Sequence, residues 1–138
     1  MTAGAVFNWP IRVYYEDTDS GGVVYHTAYL RFMERARTEW LRALGFEQDA
    51  LIERHGRIFA VRRIEIDYLR PARFNDALEV RSSIAECRRA SLIFNQSIVN
   101  ARDETLSRAK VQVASLDAGT LRPRPLPEYI LAELRDVC

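Results

Sequence analysis

The stretch HTAYLRFMERARTEWLRAL, residues 26–44, is the strongest helix pattern in the chain and decides the fold. Its apolar residues recur at spacings of three and four, which places them on one face of a helix. The positions that follow this spacing are Tyr29, Met33, Ala36, Trp40 and Leu44. On a helical wheel the apolar arc covers about half of the circumference, which is wide for a surface helix. The width indicates a helix that a curved sheet partly wraps.

The segments on either side of this helix alternate with a period of two, which is typical of strands. Before it, WPIRVYYED (residues 9–17) predicts one strand. After it, a short helix over residues 47–56 precedes four long strand candidates. These candidates cover residues 57–69, 77–87, 91–101 and 105–117. A last short helix follows Pro127. A lone long helix followed by consecutive strands predicts an α+β fold, with an antiparallel sheet packed over one central helix.

Length and composition limit the class of protein. The 138 residues suit a single domain over residues 1–138. The net charge of +1 gives no general field for capturing nucleic acid. We predict neither membrane insertion nor a signal peptide, because apolar runs are short and the N-terminus lacks a basic region before an apolar core. The two cysteines form no disulfide framework, so we expect a cytoplasmic protein.

An acidic turn and a Gly pair come directly before the long helix. Glu16, Asp17 and Asp19 are followed by Gly21 and Gly22. The first amides of a helix lack intrahelical partners, and they can hold an anion or polarise a carbonyl oxygen. A carboxylate just upstream could attack that carbonyl or activate a water molecule. The order of these features therefore favours acyl transfer.

Other site types do not fit this stretch. A calcium loop starting at Asp17 would need a bidentate acid at its twelfth position, where Ala28 stands. The glycines lack the spacing of a phosphate-binding loop, and Ser20 is not in a nucleophile elbow. The only histidines, His26 and His55, have no spacing typical of metal ligands. We therefore predict no metal site.

Arg37 stands inside the apolar arc of the helix, between Leu44 and Leu30. Two interpretations are open. Its stem could be buried while its head reaches water, or its guanidinium could pair with a carboxylate such as Asp17 or Asp67.

Four stretches together resemble one known family. They are VYYEDTDSGGVVYHTAYLRFMERARTEWL (residues 13–41), YLRPARFND (68–76), RRASLIFNQSIVNA (88–101) and RPRPLPEYI (122–130). The sequence is similar to the Tol-Pal-associated, YbgC-like acyl-CoA thioesterases of the 4-hydroxybenzoyl-CoA thioesterase superfamily. The resemblance implies a hotdog fold, in which a five- to six-stranded antiparallel sheet wraps a long central helix. It also implies dimers or tetramers with active sites at subunit interfaces.

The resemblance also implies roles for residues around the Gly pair. Asp19 matches the family's catalytic carboxylate, which acts as a nucleophile or as a general base. The backbone amide of His26 matches the group that polarises the thioester carbonyl, with the Tyr25 backbone adjacent to it. Gly22 and Val24 match substrate-binding positions.

A second stretch matches the family's CoA phosphate site. Arg88, Arg89 and Ser91 fit that pattern, whereas Ala90 replaces a cation. CoA enters as part of the substrate, so the resemblance implies no cofactor. An acyl carrier protein is a further partner that the family allows.

Two other functions remain open. One is a non-catalytic module that binds acyl groups or acyl carrier protein in envelope phospholipid metabolism. The other is a dehydratase with the His26 side chain as its catalyst. Neither the acyl chain preferred nor the choice between dimer and tetramer follows from the sequence.

Overall fold

A computed structural model describes residues 4–138 and contains three α-helices and five β-strands in this range. Residues 1–3, on which part of the signal-peptide prediction rests, lie outside it. The strands are β1 (Phe7–Arg12), β2 (Arg57–Tyr68), β3 (Ala77–Cys87), β4 (Ser91–Val99) and β5 (Thr105–Asp117). The helices are α1 (Ala28–Ala43), α2 (Gln48–His55) and α3 (Glu128–Val137).

The five strands form one antiparallel sheet in the order β1-β3-β4-β5-β2. The predicted α+β class is therefore confirmed, with five strands. Pro10 lies within β1, where its missing N–H is tolerated because β1 is an edge strand. The opposite edge is β2, which pairs only with β5.

Helix α1 lies against β1, β3 and β4 and supplies the centre of the core. Phe32 and Met33 of α1 are fully buried, as are Val80 of β3 and Val111 of β5. Burying each large apolar side chain contributes about 1.5–3 kcal/mol relative to its exposure. The wide apolar arc therefore predicted correctly that the sheet curves around this helix. Edge strand β2 lies beyond β5, away from the strands that α1 contacts.

Two predicted boundaries next to the site were wrong. The first strand ends at Arg12, because the chain forms a 3-10 turn over Tyr15–Asp17. The Asp17 carboxylate stabilises that turn by accepting the Tyr14 N–H at 2.9 Å. Helix α1 begins at Ala28, two residues later than predicted, so His26 precedes it. The helix stops are as predicted, with Gly45 and Gly56 at positive φ.

Among residues 4–138, no helix has the length and apolar character that crossing a bilayer would require.

Candidate active site

A closed loop carries the predicted catalytic carboxylate. We call residues 17–25 the Asp19 loop. Its base is closed by a hydrogen bond from the Tyr25 N–H to the Asp17 carbonyl oxygen at 2.8 Å. Near its tip the Asp19 N–H donates to the Val23 carbonyl oxygen at 2.9 Å. The buried Val24 anchors the loop to the chain before β3, because its N–H donates to the Ala72 carbonyl oxygen at 2.8 Å.

The tip of the loop holds the Asp19 side chain in a defined position. Asp19 Oδ1 accepts the Gly21 N–H at 2.8 Å, and the Asp19 carbonyl oxygen accepts the Gly22 N–H at 3.1 Å. Gly22 has a φ of +81°, which a residue with a Cβ would adopt only with strain. Asp19 Oδ2 accepts no hydrogen bond from residues 4–138. One carboxylate oxygen is thus fixed, and the other is free to react.

At the base of the loop, both oxygens of the Asp17 carboxylate accept hydrogen bonds. Asp17 is 4% exposed, and its two oxygens accept from the Tyr14 N–H and from Arg31 Nη2 at 3.2 Å. These contacts give Asp17 a structural role. The predicted pairing of Asp17 with Arg37 was wrong, because the guanidinium that contacts Asp17 belongs to Arg31.

Arg37 contacts neither of the carboxylates that the sequence suggested. It is 8% exposed, so little of the residue reaches water. Its Nη1 donates to Gln96 Oε1 at 2.9 Å. Burial lowers the pKa of the Arg37 guanidinium, and the charge of Glu34 partly offsets that effect. The predicted carboxylate partner was therefore wrong, because the group that accepts from the guanidinium is an amide on β4.

The helix start presents backbone amides without partners. The N–H groups of His26 and Thr27 have no acceptor within residues 4–138. The Tyr25 amide differs, because it is engaged with Asp17 at the base of the loop. The His26 carbonyl oxygen accepts the Tyr68 hydroxyl of β2 at 2.9 Å, which fixes the peptide in front of α1. His26 itself is exposed.

Two exposed aromatic rings border Asp19. Tyr15 and Phe74 form an edge-to-face pair with ring centroids 5.9 Å apart. Together with Thr18, Asp19, Ser20 and Gly22 they line an open depression of about 460 Å³. The sequence analysis missed Tyr15, Phe74 and Tyr68. The signal that points to these residues is the exposure of their large rings, and exposure follows from the fold and not from the local sequence.

The residues predicted to bind CoA phosphates lie at the other end of the sheet. Arg88 and Arg89 are exposed in the turn between β3 and β4, and Ser91 begins β4. The Asp19 loop follows β1, whose last residue pairs with the first residue of β3. The 11 residues of β3 separate the two ends, a distance of about 35 Å at ~3.3 Å per residue. One chain therefore does not bring its Asp19 and its Arg88 together.

No group of three or more potential metal ligands occurs within residues 4–138.

Comparisons with known proteins identify the family of this chain. The thioesterase-like superfamily model matches residues 13–134. The acyl-CoA thioester hydrolase YbgC of Escherichia coli O6:H1 is 48% identical over 130 residues, covering 94% of this chain and 96% of the relative. The acyl-CoA thioesterase YbgC of Haemophilus influenzae is 44% identical and covers 91% and 92%.

A solved structure shows the same fold. The crystal structure of a probable thioesterase from Bartonella henselae matches with a TM-score of 0.83 and 37% identity, covering 89% of this chain and 100% of that chain. The predicted hotdog fold is thereby confirmed. Because the family model spans most of the sequence and the curated relatives match over nearly their full length, the chain belongs to the thioesterase-like superfamily and, within it, to the YbgC acyl-CoA thioesterases.

Proposed function

We propose that this protein hydrolyses an acyl-CoA thioester to a free carboxylic acid and CoA, with Asp19 as its catalytic carboxylate. One observation supports this most strongly. A carboxylate with one free oxygen lies on a rigid loop that leads into a helix start whose His26 amide has no acceptor among residues 4–138. The relatives named acyl-CoA thioester hydrolases support the same reaction class.

The His26 N–H is the proposed donor to the thioester oxygen. An amide at a helix start is aided by the positive end of the helix dipole. Such a donor stabilises the negative charge that develops on the carbonyl oxygen, typically by about 3 kcal/mol. The Tyr25 N–H is not available for this role while it closes the loop on Asp17.

Asp19 acts on the carbonyl carbon in one of two ways. As a nucleophile, its free oxygen adds to the carbon, the C–S bond breaks, and CoA leaves as a thiolate that takes up a proton. Water then hydrolyses the mixed anhydride. As a general base, the same oxygen takes a proton from the attacking water molecule. Gly21 keeps the backbone bare beside Asp19, because a Cβ there would lie 3.1 Å from Asp19 Oδ1. Gly22 supplies the positive φ of the turn, and Val24 anchors the loop.

We further propose that the working site combines two copies of the chain. The outer edge of β2 is unpaired in the described residues, and Val61 and Tyr68 on that strand are 44% and 46% exposed. Two β2 edges that pair antiparallel would form one continuous sheet and remove both free edges. That pairing places the Arg57 end of one β2 beside the Tyr68 end of the other.

This pairing would also complete the CoA site. The β3–β4 turn lies at the same end of the sheet as Arg57, because Ser91 pairs with Ala114 of β5 and Arg57 pairs with Asp117. Arg88 and Arg89 of a second copy would therefore approach the end that carries Asp19. Arg binds phosphate through paired N–H groups. An acyl carrier protein, whose prosthetic arm resembles that of CoA, remains a proposed further partner.

The decisive experiment measures the release of free thiol from a panel of acyl-CoAs by the wild type, Asp19→Asn and Asp136→Asn. Asp136 is exposed on α3, far along the chain from the loop, and serves as the matched control. We expect Asp19→Asn to lose about 10²–10⁴-fold in kcat/KM and the control to keep wild-type activity. Full activity in Asp19→Asn would refute the mechanism.

The same panel tests one alternative function, and a second assay tests the other. A wild type that binds acyl-CoA without hydrolysing it would favour a binding module. A dehydratase releases water and no thiol, so that alternative needs a hydroxyacyl-CoA dehydration assay; dehydration that is lost in His26→Ala but kept in Asp19→Asn would favour it.

A further inference from the structure

A leucine in a tight turn after β5 has no role in the proposed mechanism. We call residues 117–122 the Asp117 turn. Within it, Leu121 is 62% exposed in one copy of the chain, and its φ is +61°. Left-handed backbone is unfavourable for a bulky residue, and glycine or asparagine usually takes such a position. The turn therefore holds a large apolar side chain in water, in a conformation that this residue type does not favour.

Hydrogen bonds maintain the conformation of the Asp117 turn. The Asp117 N–H donates to the Arg122 carbonyl oxygen at 2.8 Å, and the Leu121 N–H donates to the Asp117 carbonyl oxygen at 2.9 Å. Asp117 Oδ1 accepts the N–H groups of Thr120 and Gly119, each at 2.9 Å. These two bonds lower the pKa of the Asp117 carboxyl. A strained residue that its surroundings keep in place is typical of functional sites.

The Asp117 turn lies next to the turn that carries Arg88 and Arg89. The Ala90 carbonyl oxygen accepts the Ser115 N–H at 2.8 Å. Ser115 precedes Asp117 by two residues on β5, which is about 7 Å along a strand. The two turns are therefore neighbours within a single copy, and no contact between copies is needed to bring them together.

Arg122 adds a cation to this surface. It is exposed, and no carboxylate among residues 4–138 of one copy lies within 4.0 Å of its guanidinium. Arg89 is exposed and has no such carboxylate within these residues either. Arg88 differs, because it pairs with Glu86 at 2.6 Å. The surface thus offers two guanidinium groups that are able to bind an anion.

An exposed apolar side chain next to two cations fits a nucleotide. The faces of a base pack on apolar or aromatic side chains, and guanidinium groups bind phosphate through paired N–H groups. In CoA a single ribose joins the adenine to the phosphates, so a contact for the ring must lie close to a phosphate site. Because Arg57 pairs with Asp117, the Asp117 turn lies at the end of the sheet that the proposed pairing places beside the Asp19 end of the second copy.

We propose that Leu121 packs against the adenine ring of CoA and that Arg122 binds a phosphate of the same nucleotide. The Asp117 turn then favours substrates that carry the CoA nucleotide over substrates that carry only the pantetheine arm. This inference rests on the proposed thioesterase function and names the part of the substrate that a further pair of residues recognises.

The test measures free-thiol release from acyl-CoA and from acyl-pantetheine with the same acyl group. Both contain the same thioester, but acyl-pantetheine lacks the nucleotide. For the wild type we expect kcat/KM to be at least about 10-fold higher with acyl-CoA, because hydrogen bonds to charged groups are strong. Leu121→Asn should lower this ratio about 3–5-fold, the effect of exposing part of a leucine side chain. Arg122→Gln should lower it about 5–10-fold.

Two controls separate recognition from folding. Ile52→Ala removes an apolar side chain of similar exposure from α2 and should keep the wild-type ratio. Leu121→Gly removes the Cβ that makes left-handed backbone unfavourable. Its melting temperature should therefore not fall, although its ratio should. A lower melting temperature with equal losses on both substrates would assign Leu121 to a structural role.

The remaining outcomes count against the inference. A wild-type ratio near one overturns the nucleotide site but leaves the hydrolysis intact. An unchanged ratio in Leu121→Asn overturns the contact with the base, and an unchanged ratio in Arg122→Gln overturns the contact with phosphate. Dissociation of the Leu121→Asn oligomer in size-exclusion chromatography would assign Leu121 to a subunit contact. A wild type that hydrolyses neither substrate refutes the proposed function itself and this inference with it.

Discussion

The base and the tip of the Asp19 loop carry two aspartates that are only two residues apart but have opposite surroundings. At the base, Asp17 is buried, and both of its oxygens accept hydrogen bonds, one of them from a guanidinium. At the tip, Asp19 lies beside an open depression with one oxygen bonded to the Gly21 N–H. The comparison shows that one short acidic run can supply a buried carboxylate with both oxygens bonded and an exposed one with a free oxygen, which is the carboxylate that we propose as catalytic. The difference between them comes from burial.

The largest effect on stability is expected at the base. Asp17→Asn removes the charge that holds Arg31 and weakens the acceptor for the Tyr14 N–H. We expect a loss of about 1–3 kcal/mol in the free energy of unfolding, measured by urea denaturation. Asp76→Asn is not a suitable control, because that carboxylate accepts the Arg73 N–H; Asp136→Asn is. A variant as stable as the wild type would contradict the structural role of Asp17.

The second-largest loss of stability is expected at the hydrogen bond between β2 and the start of α1. Tyr68→Phe deletes the hydroxyl that donates to the His26 carbonyl oxygen. We expect the free energy of unfolding to fall by about 1 kcal/mol, and kcat/KM to fall several-fold because the His26 peptide is held less firmly. Phe74→Leu, which keeps an apolar side chain in the depression, separates loss of the hydroxyl from loss of an aromatic ring. Unchanged activity in Tyr68→Phe would show that the orientation of this peptide does not depend on Tyr68.

A smaller loss of stability is expected when the cation at the base of the loop, Arg31, is removed instead of the anion, Asp17. Arg31 has a side chain that is 49% exposed, so solvent screens its attraction to Asp17. Arg31→Gln should therefore cost at most about 1 kcal/mol, which is less than Asp17→Asn. The two variants can be compared by their melting temperatures in low and high salt. A larger loss for Arg31→Gln would reverse the assigned order of importance.

The smallest effect on stability is expected at the tip. Asp19→Asn keeps an oxygen that can accept the Gly21 N–H, and no cation contacts Asp19 among the described residues. Its free energy of unfolding should stay within about 0.5 kcal/mol of the wild type, although its activity is expected to be lost. Thermal unfolding measured on the same preparation as the thiol assay checks both. Loss of fold and activity together would remove the contrast between the two aspartates.

The fold was predictable because its signals are local. The spacing of apolar residues in residues 26–44 fixed the central helix, and the period of two fixed the four strands after it. The positions of Gly45 and Gly56 marked two helix ends correctly. The error near Tyr15 arose where the Asp17 carboxylate accepts the Tyr14 N–H, since side-chain hydrogen bonds to the backbone compete with strand geometry. The error near His26 lies where a backbone bond from the Tyr25 N–H to the Asp17 carbonyl oxygen keeps the chain in the loop.

The site was predictable only in part. The residue pattern indicated a carboxylate before a helix start, and the resemblance to thioesterases singled out Asp19 and the His26 amide. The pattern did not reveal Tyr68 beside His26, 42 residues away, or Gln96 beside Arg37, 59 residues away. Contacts of this kind depend on how strands and helices are stacked, which no local pattern records.

The sequence by itself determined which segments are helices and strands, and that an acidic turn with glycines leads into the long helix. Apolar periodicity carries this information because burial of one face repeats with the geometry of each segment. Only the tertiary structure decided which acid is buried, that Arg37 faces an amide, and that Arg88 and Arg89 lie at the end of the sheet opposite Asp19. Burial and pairing are set by residues far apart in the chain, so they emerge only when the sheet has closed over the helix.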